Sequence, residues 1–453
     1  MIDSRSGPLA TALMLYAPEA AAPVSDDLQQ MSVPCTQPAG RKVTKTLMLS
    51  PGLKPFGLIA KPAGPLCNLN CTYCYYLEKK HLYPGAQKLR MPDAILDEFI
   101  KQYIESQDVP MVTFIWQGGE PCLAGLEFYS KAVALQKKYA DGKKIENAFQ
   151  TNGMLLNEAW CRFLYENQFL TGISIDGPRE LHDFYRQDCN GKGTFDKVMR
   201  GIDLLSKHRV EFNTLTVVHA QNVEYPLELY HFLKSIGSHY IQFLPVVERM
   251  TTEKRPDGLN LVADASEKEA AVTEWSVDPG KYGVFLARIF DEWVHQDVGS
   301  CFIQLFDATL ANWIGVPPGL CFFMHDCGAA GAIEHNGDVY SCDHFVSPGY
   351  HLGNIQENPL KELMNSARQQ QFGRTKSAQL PKACQECTFL DKCYGECPKK
   401  RFLATPEGEY GLNYLCEGYR HFFAHVTPAM NFMANELLQH RPPANIMNFM
   451  RNK

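Results

Sequence analysis

Six short β-rich runs, separated by stretches of helical periodicity, occupy the chain from about residue 55 to residue 247, and no other feature restricts the possible fold so far. The runs are Gly57 to Ala60, Val112 to Trp116, Asn147 to Thr151, Thr171 to Ile175, Glu211 to Val218 and His239 to Leu244. Between them, Pro92 to Ile104, Gly125 to Tyr139, Asn157 to Asn167, Phe195 to His208 and Pro226 to Ile236 place apolar residues near a 3.6-residue period. This alternation is the pattern of a parallel sheet built from βα units, an α/β protein. Right-handed crossovers would curl six such units into an open, partial (β/α)6 barrel, with function on the loops at the C-terminal strand ends. A polar, acidic stretch from Thr251 to Gly280 reads as a long loop, and an amphipathic helix from Tyr282 to His295 leads into the second half.

The 453 residues suffice for two or three domains. A 45% hydrophobic and 21% charged composition is that of a globular protein. No apolar run approaches the ~18 residues that span a bilayer, so no membrane role is expected. The net charge of -6, without a block of Lys or Arg, argues against nucleic acid as a partner. The apolar patch Leu13 to Ala17 lies between Asp3 and Glu19 and lacks the basic flank of a secretion signal. The sixteen cysteines are crowded, eight of them between Cys321 and Cys416. Without an export signal, metal ligation in a reducing cytoplasm is the better reading than disulfides.

Soon after the first run, Cys67, Cys71 and Cys74 stand at CxxxCxxC spacing in one tight loop. Three thiolates hold three corners of a 4Fe-4S cluster and leave the fourth iron open to a ligand. A zinc site with a distant fourth ligand is the alternative. Tyr73 before the last cysteine and the position after a strand favour the cluster, and the pattern resembles the signature of the radical S-adenosylmethionine superfamily. After the second run, Gln117-Gly118-Gly119-Glu120-Pro121 resembles that family's GGEP loop, whose backbone and acid bind the cofactor's amino group. The resemblance also assigns Tyr73, Ser174 and Arg186 to the cofactor. Asn152 and Asp176, at the third and fourth strand ends, either serve the site or cap turns.

The remaining cysteines follow the order Cys321, Cys327, Cys342, Cys384-x2-Cys387-x5-Cys393-x3-Cys397 and Cys416. This resembles the SPASM domain of peptide and sulfatase maturases. By that family's connectivity, Cys321, Cys327, Cys342 and Cys397 would hold one auxiliary 4Fe-4S cluster and Cys384, Cys387, Cys393 and Cys416 the other. A zinc-ribbon fold is the alternative here. Cys35, Cys122, Cys161, Cys189 and Cys301 are left over as ordinary thiols.

Within this group, Cys-x3-Cys-x2-Cys-Tyr-Tyr, Gln-Gly-Gly-Glu-Pro, Gln-Thr-Asn-Gly, Ser-x-Asp-Gly-Pro and Leu-Gly-Asn-Ile at 352 to 355 are similar to the anaerobic sulfatase-maturating enzymes. These use three 4Fe-4S clusters and S-adenosylmethionine to oxidise a sulfatase Ser or Cys to Cα-formylglycine. The resemblance implies Asp343, directly after Cys342, as the catalytic base, and Tyr76 and Gln117 as substrate contacts. Asp307 is a weaker candidate for the base and reads better as the N-cap of a helix starting at Ala308. The expected partners are an unfolded or nascent sulfatase and an electron donor such as flavodoxin or ferredoxin. A radical maturase of a ribosomally made peptide, forming a thioether or carbon-carbon crosslink, is the rival; such enzymes commonly carry an N-terminal recognition domain, for which residues 1–52 are too short. The expected organisation is a poorly ordered extension (1–52), the radical barrel (53–280), a connecting helical segment (281–320), the SPASM domain (321–420) and a helical tail (421–453).

Overall fold

The computed structural model describes residues 55–85, 89–253, 255, 257–267 and 269–451, so the extension expected over 1–52 lies outside the described residues. Strands β1 (Gly57–Ala60), β2 (Met111–Trp116), β3 (Lys144–Thr151), β4 (Leu170–Ser174), β5 (Phe212–Val218) and β6 (Tyr240–Pro245) pair in sequence order, every pair parallel. Each lies within a few residues of its expected run. Two additions extend the sheet to ten strands. Beside β6 runs a short parallel strand, β7 (Phe302–Ile303). Beside β1 runs β8 (Ala330–Ile333), also parallel, followed by antiparallel β9 (Asp338–Tyr340) and β10 (His351–Asn354). The cysteine-rich half is therefore joined to the barrel by main-chain hydrogen bonds along β1.

The core follows from the strand pattern. β2 alternates half-buried and buried residues, with Val112, Phe114 and Trp116 inward. Helix α1 (Asp93–Glu105) buries Ile95, Leu96, Phe99, Ile100, Tyr103 and Ile104 against it, and the rings of Phe99 and Tyr103 meet Phe114 edge-on at 5.7 and 5.0 Å. Helices α2 (Leu126–Tyr139), α3 (Glu158–Glu166), α4 (Arg179–Tyr185), α5 (Phe195–Lys207) and α6 (Pro226–Ser235) follow their strands in turn. Asn157 caps α3 by accepting from the Ala159 and Trp160 amides, as its side-chain type favours.

Helix α7 (Pro279–Gln296) starts three residues earlier than the apolar period indicates, behind the cap residue Asp278. The long loop before it contains a two-stranded ribbon, Arg249–Met250 with Ala271–Val272. Helix α8 (Gln304–Trp313) corrects the expectation for Asp307. The helix begins at Gln304 straight out of β7, so Asp307 lies inside its first turn and caps nothing. The buried Leu305 and Phe306 draw the helix start back. Helix α9 (Ala367–Ala378) crosses the cysteine-rich region, and the tail helix α10 (Cys416–Leu438) begins at the last cysteine rather than at residue 421. At the α7–α10 crossing a Cβ on Gly418 would stand 2.2 Å from the Pro279 carbonyl oxygen, so glycine permits the close approach.

Candidate active site at the strand ends

The segment after β1 carries Cys67, Cys71 and Cys74, all half-buried. It is held from three neighbouring strand ends. After β2, the Gly119 amide donates to the Gly64 carbonyl at 2.9 Å and the Glu120 amide to the Leu66 carbonyl at 2.7 Å. A Cβ on Gly119 would sit 1.9 Å from the Leu66 oxygen, and Gly118 has φ +142°. The close approach these glycines allow is thus to the chain's own cysteine segment. After β3, Asn152 donates to Asn68 Oδ1 at 2.8 Å and reaches Cys67 Sγ at 3.8 Å, while its own Oδ1 accepts from the Met154 amide. Asn152 therefore both caps a turn and holds the cysteine loop.

Glu120 is fully buried. Its carboxylate accepts from the Thr151 hydroxyl (2.7 Å), the Asn152 amide (2.8 Å) and the Cys122 amide (3.0 Å). Burial nevertheless pushes its carboxyl above the usual range. Ser174, at the end of β4, accepts from Gln150 Nε2 at 3.1 Å.

Asp176, two residues beyond β4, is the hub of the site. It is 0% exposed and accepts from the Tyr73 hydroxyl, Arg186 Nε (2.8 Å) and the Val217 amide (3.0 Å). Burial alone would raise its carboxyl; the Arg186 guanidinium, His219 and His182 outweigh that and hold it below the usual range. The role left open between cap and site residue is resolved by this geometry in favour of an interior ion pair. Arg186 commits only its Nε to Asp176 among the described residues, and its guanidinium lies 5.5 Å from the Tyr73 ring centre. Burial lowers the imidazoles of His182 and His219 to about 3 and about 4. Both rings accept a backbone amide at Nδ1, His182 from Asp176 at 3.3 Å and His219 from Gln221 at 3.2 Å.

A second polar cluster joins the barrel to the cysteine-rich half. Lys61, the first residue beyond β1, is 1% exposed and forms an ion pair with Asp343. The Tyr75 hydroxyl donates to the other oxygen of the same carboxylate. Burial would raise the Asp343 carboxyl, but the Lys61 ammonium and His344 bring it below the usual range. Tyr76 is buried, its hydroxyl donated to Glu334 and its ring 4.6 Å from Lys61 Nζ. Gln117 is half-buried, its amide on the Ala60 carbonyl.

The eight C-terminal cysteines separate into two neighbourhoods. Cys321, Cys327, Cys342 and Cys397 lie within electrostatic reach of one another, and Cys384, Cys387, Cys393 and Cys416 form the other set. Burial pushes the thiols of Cys67, Cys71 and Cys321 up to about 12, so a bound metal is what would hold them as thiolates. Zinc would gather four ligands about one point at ~2.3 Å for sulfur. The loop Cys67, Cys71 and Cys74 offers three thiols and each quartet four, and a cluster takes one thiolate at each of its irons. The donor set fits iron-sulfur clusters.

Comparison with known proteins agrees. The signature of the Radical SAM superfamily matches residues 62–233 and that of the SPASM iron-sulfur cluster-binding domain residues 324–388. The fold and site thus define a radical S-adenosylmethionine enzyme with a SPASM domain, and its cofactors are 4Fe-4S clusters and S-adenosylmethionine. The chain is 53% identical over 408 residues to a serine-type anaerobic sulfatase-maturating enzyme of Bacteroides thetaiotaomicron, covering 90% of this chain and 98% of that one. It is 33% identical to a cysteine-type enzyme of Clostridium perfringens, covering 85% and 100%. The solved structure of native anSMEcpe with bound AdoMet and Cp18Cys peptide superposes with a TM-score of 0.74 at 33% identity, over 85% of this chain and 100% of that one. The chain belongs to the anaerobic sulfatase-maturating enzymes.

Sequence reasoning missed Lys61, Tyr75 and Glu334. Lys61 had a usable signal, since a lysine between the apolar run Leu58-Ile59-Ala60 and Pro62 stands at a C-terminal strand end. Glu334 had none, because its partner Tyr76 lies 258 residues away.

Proposed function

We propose that this chain oxidises a sulfatase side chain, a serine in preference to a cysteine, to Cα-formylglycine without oxygen. The observation that carries the reading is the Asp343 carboxylate, one residue beyond Cys342 and kept ionised in the interior by Lys61. When bound at Cys67, Cys71 and Cys74, the reduced cluster and S-adenosylmethionine supply a 5'-deoxyadenosyl radical able to remove a Cβ hydrogen. The side chains do the rest. Asp343 takes the proton of the substrate hydroxyl, and Tyr75 and Lys61 orient its two oxygens. Arg186 offers its uncommitted nitrogens to the cofactor carboxylate, held in place by Asp176 and Tyr73. Glu120, Gly118 and Gly119 fix the cysteine loop, and Ser174 and Gln150 form the polar edge where the cofactor's ribose would lie. Gln117 borders the substrate, and Tyr76 acts from beneath it through Lys61. Cys321, Cys327, Cys342 and Cys397 would hold one auxiliary cluster and Cys384, Cys387, Cys393 and Cys416 the other, and these would supply an acceptor for the second electron.

The preference for serine is supported by the serine-type name of the 53% identical relative. A flavodoxin- or ferredoxin-like donor and a cytoplasmic location suit clusters that need a reductant and free thiols. No helix of the described residues is long and apolar enough to cross a membrane.

The test is anaerobic: reconstituted protein, dithionite and S-adenosylmethionine with peptides containing Ser-x-Pro-x-Arg or Cys-x-Pro-x-Arg, followed by mass spectrometry. A peptide aldehyde is expected, faster from serine. Asp343→Asn should reduce aldehyde formation by about 10²- to 10⁴-fold while 5'-deoxyadenosine still forms. Cofactor cleavage without any aldehyde would point to another peptide chemistry.

A further inference from the structure

Four cations are buried in the cysteine-rich region, Lys376, Lys399, Lys400 and Arg401. Two have carboxylate partners, Lys399 with Glu248 at 2.6 Å and Lys400 with Glu396 at 2.9 Å. The other two have only carbonyls among the described residues. Lys376, 0% exposed, donates to the carbonyls of Cys321, Phe322 and Met324, the turn that leads from Cys321 to Cys327. Arg401, 5% exposed, donates to the carbonyls of Tyr394, Gly395 and Glu396 and to that of Lys376. Those three residues are the whole turn between Cys393 of one quartet and Cys397 of the other.

A buried cation without a counterion is costly, and carbonyl dipoles offset only part of that cost. The buried carboxylate of the same turn, Glu396, is already paired with Lys400, which leaves the two quartets as the source of the missing negative charge. Four thiolates around a [4Fe-4S]2+ core leave a net charge of about -2, and the two quartets are where such charge would reside. We infer that Arg401 is the shared counter-cation of the two auxiliary clusters and sets both reduction potentials, while Lys376 acts on the Cys321-Cys327-Cys342-Cys397 cluster alone. Reduction adds an electron to an already anionic centre, so a neighbouring fixed cation favours the reduced form. The cluster that faces both cations is the more easily reduced of the two, and it is the one whose ligand Cys342 adjoins Asp343. Arg401 and Lys376 are positioning residues in this role: the turn carbonyls fix where each cation sits, and its charge acts on the clusters through space.

The inference rests on the quartets being cluster ligands, and the experiment separates the two. The full chain carrying Cys67→Ala, Cys71→Ala and Cys74→Ala is reconstituted anaerobically, counted for iron, and titrated with dithionite under electron paramagnetic resonance. About eight irons and two one-electron couples are expected; absence of iron would sink the ligand reading itself. Adding Arg401→Gln should lower the equilibrium constant for reduction of both couples by about tenfold, or about 59 mV each. Lys376→Gln should lower only the upper couple by a similar factor. Full iron with unmoved potentials in Arg401→Gln, or a shift of one couple alone, would overturn the inference. Should Arg401→Gln take up less iron, Arg401→Lys decides the matter. It keeps the charge and loses most of the carbonyl bonds, so unchanged potentials support the role and lowered ones refute it.

Discussion

The barrel and the cysteine-rich region solve the same problem, holding cysteines in place, with opposite materials. In the barrel a single helix, α1, buries six side chains against aromatic strand residues, and the three-cysteine loop is suspended from that frame by backbone and Asn152 contacts. In the later region the helical turn Lys382–Gln385 buries only Cys384, and Leu390–Cys393 buries no residue fully. Buried lysine and arginine on carbonyls stand where apolar side chains would otherwise be. The contrast teaches that the radical site is a passenger on a self-sufficient fold, whereas the auxiliary sites are part of what folds around them.

Removing the iron is the most severe test of that contrast. Hydrogen exchange on chelated protein should show residues 381–398 losing protection by about a thousandfold or more, while β2, β3 and β5 keep theirs. Equal loss in both regions would erase the distinction.

A smaller effect sharpens the barrel side. Asp176→Asn leaves the buried Arg186 without its counter-charge, and breaking such a pair costs about 3–5 kcal/mol. The melting temperature of the barrel should fall with iron content at the auxiliary sites unchanged; a matching loss of auxiliary iron would contradict the independence of the two regions.

The smallest effect is on acid stability. Burial lowers the folded-state value of His182 to about 3 against 6.5 when unfolded. The neutral ring's contribution is complete above pH 6.5 and is lost as pH falls below it, because the unfolded chain takes up the proton first. At pH 5 this amounts to about 2 kcal/mol. Denaturant melts from pH 8 to pH 5 should show a slope that contains this share, and His182→Gln should remove it while leaving the part due to His219.

Reading the chain as a linear pattern located the six barrel strands, because each is a short apolar run whose period and spacing are local properties. It also divided the eight later cysteines into two sets, though only through a family resemblance; spacing alone left zinc open. Asp307 shows where local reasoning failed. An aspartate before an alanine resembles a cap, yet burial of Leu305 and Phe306 behind β7 draws the helix start back to Gln304, and β7 is placed by a pairing with β6 that joins residues about sixty positions apart.

Composition and spacing alone determined the α/β class, the number of barrel units and the cysteine loop, all of which are written within a few neighbouring residues, and the family resemblance added the candidate base. Tertiary structure alone decided what each charge faces. Lys61 on Asp343, Arg186 on Asp176 and Arg401 between the quartets depend on which buried group lacks a partner. That is a condition on burial and distance, and a charge carries no mark in sequence of the place where it will be desolvated.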